Sequence, residues 1–197
     1  EPRAIASFVL AHPNIAALQS FHNAGGMILR GPGAESYGEY EREDVRVFDE
    51  LGKTGEKMLP FYRYMVIWKD LYTVYGGFAT WGYEGLGIIS FTNELWNSDQ
   101  MWGDGQNKPD PKERWFFDDK LLAGSGFVDW HPVDHPFYGK IEVGGFRKDY
   151  GRVPPTFMIE EMLHRNCMFD VLHAQAMPLV SIEDATTTDL GDGLLAV

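Results

Sequence analysis

Apolar residues recur at helical spacing in three segments of the chain. Over 2–12 they are Ile5, Phe8 and Val9, followed by His12, with Pro2 at the start and Pro13 as the stop, which predicts a first helix. Over 42–51 the inward positions are Val45, Phe48 and Leu51, with Gly52 and Pro60 as later breaks. The longest pattern follows Pro154-Pro155, carries Met158, Ile159, Met162, Leu163, Phe169 and Leu172, and ends near Met177-Pro178.

Short apolar runs lie between these helices. Ile15 to Phe21 and Met27 to Leu29 flank Asn23-Ala24-Gly25-Gly26, which predicts a strand, a tight loop and a second strand, closed by Gly31-Pro32-Gly33. Residues 87–95 contain Ile88-Ile89-Ser90-Phe91, introduced by Gly85 and Gly87. The run is nearly continuous, as expected of a central strand covered on both faces. Residues 97–110 are polar and turn-rich and read as an exposed loop. Helices interleaved with buried strands predict an α/β domain with a mixed central sheet and helices on both faces. From about residue 178, Leu179 to Ile182, a Thr-Asp stretch and Leu190-Gly191-Asp192-Gly193 read as the first hairpin of a separate β-sandwich-like module.

Composition narrows the function. The 197 residues suit one domain with a substantial core. The 29 acidic against 17 basic residues leave a net charge of −12, which argues against a nucleic-acid partner. No apolar run approaches the ~20 residues a membrane span needs. Cys167 is the single cysteine, so an internal disulfide and a cysteine zinc cluster are both excluded. It reads as a small packed apolar residue. The chain starts at Glu1 and stops inside the apolar run Leu194-Leu195-Ala196-Val197, which leads us to expect a piece of a longer polypeptide.

Three places carry candidate chemistry. His22 stands where an apolar strand gives way to a Gly-rich loop. Ligands in open α/β sheets bind at the carboxyl ends of strands, so it is either a metal-binding imidazole or a hydrogen-bonded histidine at a loop start. Glu94, in Phe91-Thr92-Asn93-Glu94-Leu95-Trp96, ends the most buried-looking strand. Lost solvation there raises a carboxylate's pKa towards general-base range; the alternative is a salt-bridged surface Glu. Tyr72 to Gly85 is rich in aromatics and glycine and reads as a packed loop or a substrate lid.

The order of these features resembles the distal half of the zinc metallocarboxypeptidases of the carboxypeptidase A type. Three elements carry the resemblance. They are the helix Ile5-Ala6-Ser7-Phe8-Val9 leading to Pro13-Asn14, the strand Ala17-Leu18-Gln19-Ser20-Phe21-His22, and Phe91-Thr92-Asn93-Glu94-Leu95. It covers 1–96 and resumes with the helix at 155–176, making 1–177 the C-terminal portion of such a domain with a probable insertion at 97–150. The resemblance implies His22 as a zinc ligand and Glu94 as the general base. It implies Tyr72 as the mobile tyrosine over the substrate carboxylate, with Tyr75 the nearby competitor, and Ala79 as a side-chain pocket position, small and uncharged. It also implies one Zn²⁺ ion, peptide or protein C-termini as substrate, and secretion or periplasmic export. The family's His-x-x-Glu zinc pair occurs nowhere in this chain, nor do its carboxylate-gripping arginines, so the fragment alone is expected to be inactive. Open alternatives are an amidase or deacylase on the same fold, and a non-catalytic binding module.

Other candidates read as structural. His131-Pro132-Val133-Asp134-His135 has metal-ligand residue types, but its prolines suggest a rigid surface turn beside Trp130. His164 and His173 lie nine residues apart on opposed helix faces, and Glu160-Glu161 suits the helix dipole.

Overall fold

The computed structural model describes residues 2–96, 111–180, 186–192 and 194–196. Its elements in chain order are α1 (Pro2–Ala11), β1 (Ala17–Asn23), β2 (Met27–Arg30), a 3₁₀ turn (Glu35–Tyr37), α2 (Arg42–Met58) and β3 (Arg63–Val66). A π turn (Ile67–Leu71), α3 (Phe78–Leu86) and β4 (Ile89–Leu95) follow. Then come α4 (Pro111–Leu121), β5 (Phe127–His135), β6 (Gly139–Phe146), α5 (Thr156–Gln175), β7 (Thr188–Gly191) and β8 (Leu194–Ala196). The 97–110 loop expectation lies outside the described residues.

A four-stranded sheet of order β1-β4-β2-β3 organises the domain. β4 pairs parallel with β1 and antiparallel with β2, and β2 pairs parallel with β3, so the sheet is mixed and β4 is interior. Alternation along β4 divides its side chains between two faces. Phe91 and Asn93 point to α2 and α5, where Ile28, Phe48, Leu51, Leu59, Phe91 and Phe169 form the main buried cluster. Phe91 meets Phe48 edge-on at 5.3 Å and Phe169 at 5.7 Å. Ser90, Thr92 and Glu94 point the other way, towards α3. The fold is therefore mixed α/β with helices on both faces of a mixed sheet.

Several expectations change. α2 runs through Gly52 to Met58 instead of breaking there. Gly52 lies flat on the Tyr64 ring and Gly55 on Ile28 and Phe169, so these glycines permit close packing and do not end the helix. The glycine-rich 72–85 stretch is a loop only as far as Gly77, and α3 follows, its end sealed by Gly87 in the left-handed conformation (φ 70°). In α1, only Val9 is buried; Ile5 and Phe8 are exposed.

Residues 111–150, inside the segment read as an insertion, form α4 and the β5–β6 hairpin. Phe117 and Tyr150 pack with Trp96 into a separate buried cluster at the exit of β4. Asp118 secures the α4–β5 turn by accepting a 2.6 Å hydrogen bond from Gly126 N. The C-terminal hairpin forms between Thr188–Gly191 and Leu194–Ala196, whereas Leu179 and Val180 are exposed and outside any strand. Residues 181–185, part of the stretch read as hairpin, lie outside the described residues. Among the described residues no helix is long and apolar enough to cross a membrane.

Candidate functional site

Because β1 and β4 are parallel neighbours, their carboxyl ends open on the same edge of the sheet. The register sets His22 directly beside Glu94 and continues to Met27 of β2. The His22 Nδ1 and Glu94 Oε1 atoms stand 3.6 Å apart. The imidazole is 62% exposed and the carboxylate 15%, so the pair has a wet side and a dry side. Burial pushes the Glu94 pKa above the ordinary carboxylate range, and the neighbouring imidazole pulls it part of the way back.

Local packing holds the pair in place. β1 turns into β2 through Ala24–Gly26, and Gly25 N donates to Trp96 O at 2.8 Å, tying that turn to the exit of β4. Gly25 packs against the flexible end of Met27 and, at ordinary contact distance, the Glu94 Cβ. Asn23 Nδ2 donates to Arg152 O at 2.9 Å, joining the end of β1 to the loop before α5.

Two residues inward, Ser20 and Thr92 share a 2.6 Å hydrogen bond between hydroxyls. Deeper still, Leu18 and Ser90 lie under Gly82 of α3. One row on one face thus runs Ser90, Thr92, Glu94, with Leu18, Ser20, His22 beside it. The hydroxyl pair is a polar feature the sequence reading missed. Its signal is the period of two: Ser20 precedes His22 by two residues, as Thr92 precedes Glu94.

Behind the site, on the α5 face, Asn93 is fully buried and donates to Asn166 Oδ1 at 2.9 Å. Asn166 donates in turn to the Tyr62 hydroxyl at 3.1 Å and to Met162 O at 2.9 Å. This amide chain was also missed; a polar residue at an inward position of a central strand is its signal.

Tyr72 follows the π turn after β3. β3 runs antiparallel to β4, so the chain beyond Val66 leads away from the Glu94 end. Trp68 N donates to Pro32 O at 3.3 Å and Val74 N to Gly33 O at 2.7 Å, and Leu71 and Val74 pack against Leu29, Met65 and Ile67, so the 68–74 segment lies over the β2/β3 half of the sheet on the face that carries Glu94. The Tyr72 side chain is 63% exposed there, and Tyr75 packs edge-on against Tyr37 at 5.9 Å. Ala79 is buried in the first turn of α3, three residues before Gly82, and so faces the sheet on the Glu94 side.

The remaining candidates separate cleanly. Residues 131–135 are not a turn but part of strand β5, paired with β6, and Pro132 is tolerated because β5 has a free edge. His135 closes the hairpin tip by accepting hydrogen bonds from Phe137 N and Tyr138 N. His164 is exposed and His173 is buried on Phe91, with ring centroids 5.1 Å apart. Cys167 is exposed on α5 and not packed.

Among the described residues no three His, Cys, Asp or Glu side chains converge on one point. A catalytic zinc takes about three protein ligands. The chain's residues at this edge supply one imidazole and one carboxylate, a partial set that does not fit the ion alone. What the pair can do unaided is accept a proton at Glu94 and hold a cation or a polar group loosely at His22. The chain matches no family model, and no curated protein sequence matches it.

Proposed function

We propose that His22 and Glu94 are this chain's share of a hydrolytic metal centre, and that the complete protein is a zinc-dependent carboxypeptidase acting on peptide or protein C-termini. One observation carries the reading: an imidazole and a partly desolvated carboxylate stand side by side at the carboxyl ends of adjacent parallel strands, where α/β sheets place ligands. Further zinc ligands come from chain outside these 197 residues. Zinc in such a centre supplies Lewis acidity and a water of lowered pKa.

Within this reading, His22 presents a neutral ring nitrogen to the ion. Glu94 takes a proton from water at its carboxylate and returns it to the leaving amine; its raised pKa suits both halves of that exchange. Tyr72 reaches the substrate by a swing of the 72–77 loop, for which Gly76, already at φ 73°, provides the pivot. Ala79, small and uncharged, is the side-chain pocket position in this reading. The resemblance in sequence also makes secretion or periplasmic export part of this proposal.

The test uses the complete protein. Glu94→Gln is expected to lower release of C-terminal amino acids by at least about 10³-fold with zinc content unchanged. His22→Ala is expected to lower the zinc content itself. Retained turnover in Glu94→Gln overturns the base assignment, and full zinc occupancy in His22→Ala overturns the ligand assignment.

A further inference from the structure

We infer that Arg63 determines specificity at the His22–Glu94 edge, and that it selects substrates ending in glutamate by pairing with the side-chain carboxylate. The inference rests on the hydrolytic reading of that edge. Sheet register carries the argument. Read straight across the four strands at their common end, one row holds His22 on β1, Glu94 on β4, Met27 on β2 and Arg63 on β3. Alternation settles the face. Tyr64 packs against the main cluster on the α2/α5 side, whereas Met65 packs with Leu29 on the other, so Arg63 shares the face of Met65, Met27 and Glu94.

The row sets unlike chemistry in a fixed order: imidazole, carboxylate, half-buried thioether, guanidinium. Neighbouring strands lie about 4.8 Å apart, so the Arg63 backbone stands roughly 10 Å from that of Glu94. Arg63 is exposed, and among the described residues no carboxylate lies within ion-pair distance of it. Glu56 of α2 instead accepts from the neighbouring Tyr64 N at 2.7 Å. In a chain of net charge −12, an acidic group approaching Glu94 meets repulsion that a nearby cation must offset, and Arg63 is the cation in this row.

The direction of the substrate follows from Tyr72. The 68–74 segment lies over the β2/β3 half of this face, so in the hydrolytic reading the C-terminal residue of the substrate belongs on the Met27 and Arg63 side of Glu94. The methylenes of a glutamate side chain carry its carboxylate further from the scissile bond than the α-carboxylate or an aspartate side chain reaches. That reach suits the separation of Arg63 from Glu94. The methylenes cover the Met27 thioether, and the carboxylate meets the planar guanidinium in a charge-assisted pair. Ala79 brings no charge of its own, so the preference comes from Arg63.

The experiment uses the complete protein and two readouts. The first compares kcat/KM for blocked peptides that differ only in a C-terminal glutamate, aspartate or glutamine. Glutamate is expected to be released at least about tenfold more efficiently than glutamine, with aspartate between them. Arg63→Ala, an exposed change, is expected to bring the glutamate-to-glutamine ratio near unity through KM, and Arg63→Lys to restore part of it. The second readout titrates L-glutamate and, separately, L-glutamine, following the Arg63 side-chain Nε–H by NMR. A saturable shift at least about tenfold tighter for glutamate is expected. The proposal is overturned by equal release of glutamate and glutamine, by equal losses for both peptides in Arg63→Ala (an arginine on the α-carboxylate), or by an Arg63 resonance that glutamate does not move. Absence of release from every peptide overturns the hydrolytic reading instead, and a glutamate-selective Arg63 shift then supports the acidic-ligand role by itself.

Discussion

The two faces of β4 differ as sharply as any two regions of the molecule. On the α2/α5 face, Phe91 is wholly buried among Phe48, Phe169 and the His173 ring. On the α3 face, Ser90, Thr92 and Glu94 form a polar row that grows wetter towards the strand's end. The same seven residues thus anchor the fold with their odd positions and present chemistry with their even ones. The comparison teaches that stability and function are separable on this strand, because neighbouring side chains never share an environment.

Substitution should break the two faces very differently. The largest effect is expected from Phe91→Ala, which opens a cavity at the centre of the aromatic cluster. It should cost about 3–5 kcal/mol in chemical denaturation, enough to unfold a marginal domain.

Next comes a pH effect on the same face. Burial pushes His173 down to about 4, so between pH 6.5 and 4 the unfolded chain takes up a proton that the folded chain refuses. Stability is therefore lost as pH falls through that window, by on the order of 3 kcal/mol, and the loss levels off below it. Asp170, raised to about 6 by burial, opposes this, because its folded form gains a proton first as the solution acidifies. Denaturation at pH 7 and pH 4.5 should show His173→Phe removing the loss and Asp170→Asn removing the opposing gain.

Asn93→Ala should cost about 1–3 kcal/mol by leaving Asn166 Oδ1 without its buried donor. The smallest effect belongs to the other face. His22→Ala should shift the melting free energy by no more than about 0.5 kcal/mol, since the ring is exposed. The same variant should raise the Glu94 pKa further, read by carboxyl NMR titration, because the imidazole now holds it down. A large stability loss from His22→Ala, or none from Phe91→Ala, would erase the distinction between the faces.

Much of the organisation was legible in the sequence for stated physical reasons. Pro2 and Pro13 bracket α1, and the apolar run at 87–95 marked the interior strand before any partner was known. That residues 22 and 94 belong to one site was implied by the resemblance alone, and their register was not foreseen. What stayed hidden depended on partners remote in sequence. Gly52 looks like a helix break until Tyr64 is seen pressing on it. Pro132 looks like turn chemistry until β5 is seen to have one free edge. Ser20 and Thr92 are unremarkable hydroxyls until the sheet sets them 2.6 Å apart. The course of the chain towards Tyr72 follows from β3 running antiparallel to β4, a direction that no local pattern encodes.

The alternation on β4 also bears on which genetic changes this chain can survive. A point substitution at Thr92 or Glu94 alters one side chain. Losing a single codon between Ile89 and Asn93 would instead invert everything downstream of it, turning the carboxylate inward onto the phenylalanine cluster and pushing Asn93 out to the rim. Length, more than composition, is what mutation cannot change in this strand.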